Sequence, residues 1–137
     1  MISVENHPNL NIYDEYIDNK YDIYVINVLI VFLNTHSWFS LRYGTLSPER
    51  LADIASSLGI RAMALTDVNN TSCAWQYITA CRRSGIRPVL GIEFRREDGR
   101  MLYVGIARNN VGWANLCRLL SEVSLDGKSL PACAPEL

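Results

Sequence analysis

Three short apolar runs, each ending in polar or acidic side chains, restrict this chain more than any other feature. Val28–Asn34 runs into Thr35-His36-Ser37, Ala62–Thr66 runs into Asp67-Val68-Asn69-Asn70, and Pro88–Phe94 carries Glu93 after Gly91-Ile92. Each run is too short for a helix and rich in branched side chains, as expected of strands buried on both faces. His36 and Asp67 lie 31 positions apart and Asp67 and Glu93 26 apart, the length of one βα unit. Parallel strands gather their C-terminal ends on one rim, where sites are commonly built. His36, Asp67 and Glu93 are therefore expected to meet there.

The intervening stretches have helical periods. Ser47 reads as an N-cap with Pro48 at the first helical position and Glu49 in the first turn, followed by Leu51, Ile54, Ala55 and Leu58, with Gly59 as the stop. A second helix is predicted from Thr71 or Ser72, with Ala74, Tyr77, Ile78 and Cys81 on its apolar face. Arg82 and Arg83 suit its C-terminal dipole, and Gly85 ends it. Asp98-Gly99 marks a hairpin turn into a fourth strand, Met101–Ala107. A third helix begins after Asn109 or Asn110 and carries Trp113, Leu116, Leu119, Leu120 and Val123; the tail from Asp126 reads as a loop. The order β-α-β-α-β-β-α predicts an α/β fold with strands one to three parallel.

The 137 residues suffice for one ordinary domain, and 49% apolar with 20% charged residues fits a packed core. A net charge of −1 gives no bulk attraction for nucleic acid or membrane. Cys73, Cys81, Cys117 and Cys133 show no C-x-x-C spacing, which argues against a zinc knuckle. Cys81 and Cys117 fall on apolar helix faces as reduced thiols. No secretory pattern or run of about 20 apolar residues occurs, so a cytoplasmic location is expected.

Residues 1–27 differ from the rest. They hold five Asn, five Ile and four Tyr but no Arg or Gly, with one base against five acids; residues 28–137 hold twelve bases against nine acids. We expect residues 1–27 to be an unrelated or disordered extension, with the fold beginning near Val28. The compositional break favours upstream sequence that does not belong to the protein.

Each candidate residue has a bland alternative. His36 is a ligand or a hydrogen-bonded structural histidine. Asp67 is a ligand, a general base, or a cap on the adjoining turn. Glu93, on a buried strand, must be paired, hydrated or metal-bound. Asn34 and His36 would share a face on a strand, but an amide is a poor metal ligand. Arg82, Arg83, Arg87, Arg95, Arg96, Arg100 and Arg108 read as a solvated helix end and hairpin rather than a DNA-binding edge. The scattered glycines form no phosphate loop, and there is no G-x-S-x-G elbow.

Three segments in register carry a resemblance: Asn34-Thr35-His36-Ser37-Trp38-Phe39-Ser40-Leu41, Ala64-Leu65-Thr66-Asp67-Val68-Asn69-Asn70, and Gly85-Ile86-Arg87-Pro88-Val89-Leu90-Gly91-Ile92-Glu93. The sequence over roughly residues 29–130 resembles the PHP domain at the N-terminus of bacterial DNA polymerase III α subunits and related error-prone polymerases. Met101–Leu120 is similar to the family's continuation. The resemblance implies the first half of a distorted TIM-like β/α barrel, with parallel strands and a hairpin, spanning residues 28–137. It also implies a multinuclear metal centre in which His36, Asp67 and Glu93 are metal positions. The pattern departs at Asn34, where metal-binding members have the first histidine of His-x-His, and at Val68, where they have the histidine of Thr-Asp-His. No cofactor, or only a weakly bound divalent metal (Zn, Mn or Mg), is therefore expected.

By this resemblance the chain is the PHP portion of a DNA-directed DNA polymerase, a nucleotidyltransferase of replication or translesion synthesis. Its own role would be structural or partner-docking. Its partners would be the rest of the α subunit and other replisome subunits, with DNA contacted through the full-length parent and no membrane involved. Half a barrel would leave a strand edge and an apolar face uncovered. The alternative is a small metal-dependent phosphoesterase or 3′-5′ exonuclease of the PHP family using Asp67 or Glu93.

Overall fold

A computed structural model of the chain describes residues 32–135. The extension at 1–27 and most of the strand expected at Val28–Asn34 lie outside the described residues. Within them the elements are α1 (Pro48–Ser57), β1 (Ala62–Leu65), α2 (Ala74–Arg83), β2 (Arg87–Arg95), β3 (Met101–Ile106) and α3 (Asn110–Asp126). They form a mixed α/β unit around an open three-stranded sheet of order β1-β2-β3.

Local chemistry accounts for the helix ends. The Ser47 hydroxyl accepts from the Arg50 N–H at the start of α1, with Pro48 in the first turn where its missing N–H costs nothing. Asn109 does the same for α3, its side-chain oxygen accepting from the Gly112 N–H. The second helix begins later than expected, at Ala74, because Asn70 turns the chain first: its Oδ1 accepts from the Ser72 N–H at 2.7 Å. The expected face of α1 also shifts. Pro48, Ala52 and Ala55 are its buried residues and Leu58 is exposed, since α1 lies against α2 and small side chains permit the approach.

β1 and β2 pair in parallel from Ala62↔Arg87 to Leu65↔Leu90, and the pairing resumes at Val68↔Glu93. β2 and β3 form an antiparallel hairpin with a register shift between Phe94 and Arg95. Among the described residues, the end of the first expected strand is not a regular strand. Residues 32–34 are turn and bend, and the segment meets β1 and the residue after it through backbone bonds from Ala64 N–H to Phe32 O at 2.9 Å and from Thr66 N–H to Thr35 O at 2.8 Å. Between these bonds one chain advances two residues, Ala64 to Thr66, and the other three, Phe32 to Thr35, which breaks the ladder.

Two apolar clusters hold the sheet. Met63, Leu65, Ala52, Ala55, Cys73, Tyr77, Ala80, Cys81 and Ile86 join α1 and α2 to β1. Inside this cluster the Tyr77 hydroxyl donates to Met63 O at 2.6 Å, and burial raises its pKa. Ile92, Phe94 and Leu116 form the second cluster, with Trp113, Leu119 and Leu120 of α3 against the hairpin. Strand alternation then turns Glu93 the other way from Ile92 and Phe94, toward the end of β1.

Candidate functional site

Glu93 is fully buried on β2, and each of its carboxylate oxygens has a partner. His36 Nε2 lies 3.0 Å from Oε2, and Arg95 Nε donates to Oε1. An ionised carboxylate only accepts, so the first contact requires the imidazole proton on Nε2. Arg95 follows Glu93 by two residues on one strand, so the two side chains share a face. Its Nη1 donates to Gly99 O at 2.8 Å, and its guanidinium carbon stands 4.2 Å from the centre of the Tyr43 ring.

Asp67, just past β1, is equally buried and equally engaged. Oδ1 accepts from the Ser37 N–H at 2.7 Å and the Ser40 hydroxyl at 2.6 Å, and Oδ2 accepts from the Ser37 hydroxyl at 2.7 Å. Ser40 Oγ in turn accepts from the Val68 N–H at 2.9 Å. The carboxylate therefore organises a loop some thirty residues upstream rather than its own following turn. That loop closes tightly, with Gly44 N–H on Ser40 O and Trp38 N–H on Leu46 O, both at 2.9 Å.

Of the three expected residues, His36 and Glu93 meet through their side chains, and Asp67 joins Glu93 through the backbone, its carbonyl accepting from the Glu93 N–H at 3.3 Å. Asn34 and His36 do not act together, however. The Asn34 amide oxygen accepts from the Thr66 hydroxyl at 2.8 Å, while His36 reaches Glu93. Val68 presents an isopropyl group. Arg95 corrects a sequence expectation: it is no part of a solvated edge, since its side chain is only 20% exposed and closes on Glu93. The spacing Glu93-x-Arg95 on a strand was the available clue.

Ser37, Ser40, Tyr43 and Asn69 also belong to the pocket. Asn69 adopts a left-handed φ of 45° and bonds both backbone groups of Arg95, donating from Nδ2 to the carbonyl at 2.7 Å and accepting at Oδ1 from the N–H at 3.0 Å. Its amide thus extends the β1–β2 ladder by one side chain. Only the Asn-Asn pair after the strand hinted at this. Cys73 sits behind the loop, and burial pushes its thiol up to about 11.

The PHP domain family model matches residues 33–136, most of the chain. The chain belongs to the PHP domain family. Its similar relatives include the DNA polymerase III subunit alpha of Treponema pallidum, 36% identical over a 110-position alignment that covers 71% of this chain and 9% of that protein. The Vibrio cholerae DNA polymerase III subunit alpha is 30% identical, covering 71% of this chain and 9% of that protein. An error-prone DNA polymerase of Symbiobacterium thermophilum is 37% identical over 69% of this chain and 9% of that protein. The chain thus spans less than a tenth of the length of these relatives.

PHP domains are generally metal-associated, and the donor set here can be tested against a metal. Every carboxylate oxygen of Asp67 and Glu93 already has a hydrogen-bond partner within the pocket, and His36 Nε2 is taken up by the Glu93 carboxylate. Asn34 is committed to Thr66, and Val68 has no donor atom. Among the described residues no three His, Cys, Asp or Glu side chains are grouped so as to hold a metal ion. The residues as arranged do not fit a metal centre. Also among them, no helix is long and apolar enough to cross a membrane.

Proposed function

We propose that residues 28–137 are the first part of a PHP-type barrel at the N-terminus of a DNA polymerase III α-type subunit, where they serve a structural and docking role. Polymerisation would belong to other parts of such a subunit. The similarity to α subunits and error-prone polymerases supports the setting. The observation that carries the structural role is the internal saturation of both pocket carboxylates by Ser37, Ser40, His36 and Arg95. A carboxylate held by that many donors fixes the chain segments around it and is poorly placed to receive a metal. His36, Asp67 and Glu93 are in this reading remnants of metal positions, with Asn34 and Val68 marking the loss.

The test is metal analysis of the purified chain, together with hydrolysis of a generic phosphomonoester and of 3′-ended DNA in Mn²⁺ or Zn²⁺. We expect substoichiometric metal and no turnover. Stoichiometric metal with turnover abolished by Asp67→Asn would overturn the structural reading in favour of a phosphoesterase or exonuclease.

A further inference from the structure

The surroundings of Arg95 are those of a bound cation. A fully buried carboxylate (Glu93), a backbone carbonyl (Gly99) and an aromatic face (Tyr43) converge on one guanidinium, and His36 takes the second oxygen of the same carboxylate. Carboxylate and carbonyl oxygens are also the groups that hold divalent ions. Asn69 clamps the Arg95 backbone on both sides, so the cation is tethered beside the pocket as well as attracted to it. A guanidinium does not deprotonate in proteins and cannot dissociate from its own chain.

We infer that Arg95 is an in-built cation that supplies, against Glu93, the positive charge a metal ion would otherwise bring, so that the Glu93 carboxylate is neutralised without any ion. An ordinary surface ion pair does not describe it, because one partner is fully buried and the other is 80% buried. The remaining carboxylate, Asp67, is stabilised by an N–H and two hydroxyls, with no need of a second cation. The inference rests on the reading of this pocket as one that takes no metal and adds the identity of what replaces it.

The test uses thermal melting of the 137-residue chain in EDTA, in Mn²⁺ and in Zn²⁺. The wild-type Tm is expected to be the same in all three. Arg95→Met strands the buried carboxylate and is expected to lower Tm by roughly 10 °C or more. Adding Glu93→Gln to Arg95→Met removes the stranded charge and should recover a substantial part of that loss. Arg95→Lys, which keeps a cation, should melt between wild type and Arg95→Met. If Arg95→Met does not fold, the double variant and Arg95→Lys still report. A wild-type Tm that falls in EDTA would sink both the metal-free reading and this inference. A wild type indifferent to EDTA, with Arg95→Met melting like wild type or the double variant no better than Arg95→Met, would sink the inference alone.

Discussion

At the scale of single residues, the pocket distinguishes an anchoring carboxylate from a reacting one. Asp67 holds Ser37 and Ser40 through three bonds, all charge-assisted when the carboxylate is ionised. Asp67→Asn keeps the shape but turns them into neutral contacts and forces at least one hydroxyl to reorient. We expect a loss of about 1.5–3 kcal/mol in stability, read from urea unfolding midpoints at unchanged m-value. A general base would behave oppositely, losing activity at full stability. Glu93 differs from Asp67 in needing a cation, because burial removes it from water while one of its two donors is a histidine whose charge is conditional.

Among the elements, the loop between residues 37 and 44 is the part most tightly specified by backbone approach. A Cβ at Gly44 would stand 1.9 Å from Ser37 O and 2.4 Å from its carbonyl carbon, both backbone atoms that cannot step aside. Gly44→Ala should therefore open the loop, release Ser37 and Ser40 from Asp67, and cost about 3 kcal/mol or more. Gly105 on β3 offers the contrast. Its Cβ would meet Leu116 Cδ2 at 2.5 Å, a side-chain tip of α3 that can change rotamer. Gly105→Ala should cost about 1 kcal/mol, and the two melting curves measured side by side check the ranking. The hairpin matters for the same pocket, because the shift between Phe94 and Arg95 and the turn at Gly99 together bring the Gly99 carbonyl to the guanidinium.

At the scale of the molecule, the sheet formed by the described residues is open. Among the described residues β3 pairs only with β2, and the far side of β1 meets residues 32–35 through two backbone bonds. Trp38, Leu41 and Trp75 are 50%, 82% and 74% exposed, and Val111 and Leu125 add to the uncovered apolar surface. An unpaired strand edge and exposed apolar groups each favour association. We expect the 137-residue chain to self-associate as concentration rises, seen by light scattering after size-exclusion chromatography; a monodisperse monomer at all concentrations would contradict this.

The elements themselves were legible because helix and strand periods are local properties of the chain. Ser47-Pro48-Glu49, the apolar run Ala62–Thr66 and the turn Asp98-Gly99 each announce their structure within a few residues, and the rim positions His36, Asp67 and Glu93 follow from where those runs end. Hydrogen-bond partners are not local. Whether Arg95 faces water or Glu93, and whether Asp67 caps its own turn or grips Ser37 and Ser40, depends on the register of β1 against β2, the shift in the hairpin and the path of a loop thirty residues away. The order of residues brought the acids to the ends of neighbouring strands; the folded chain decided which donors hold each of them, because partners are set by distances across strands that no sequence interval encodes.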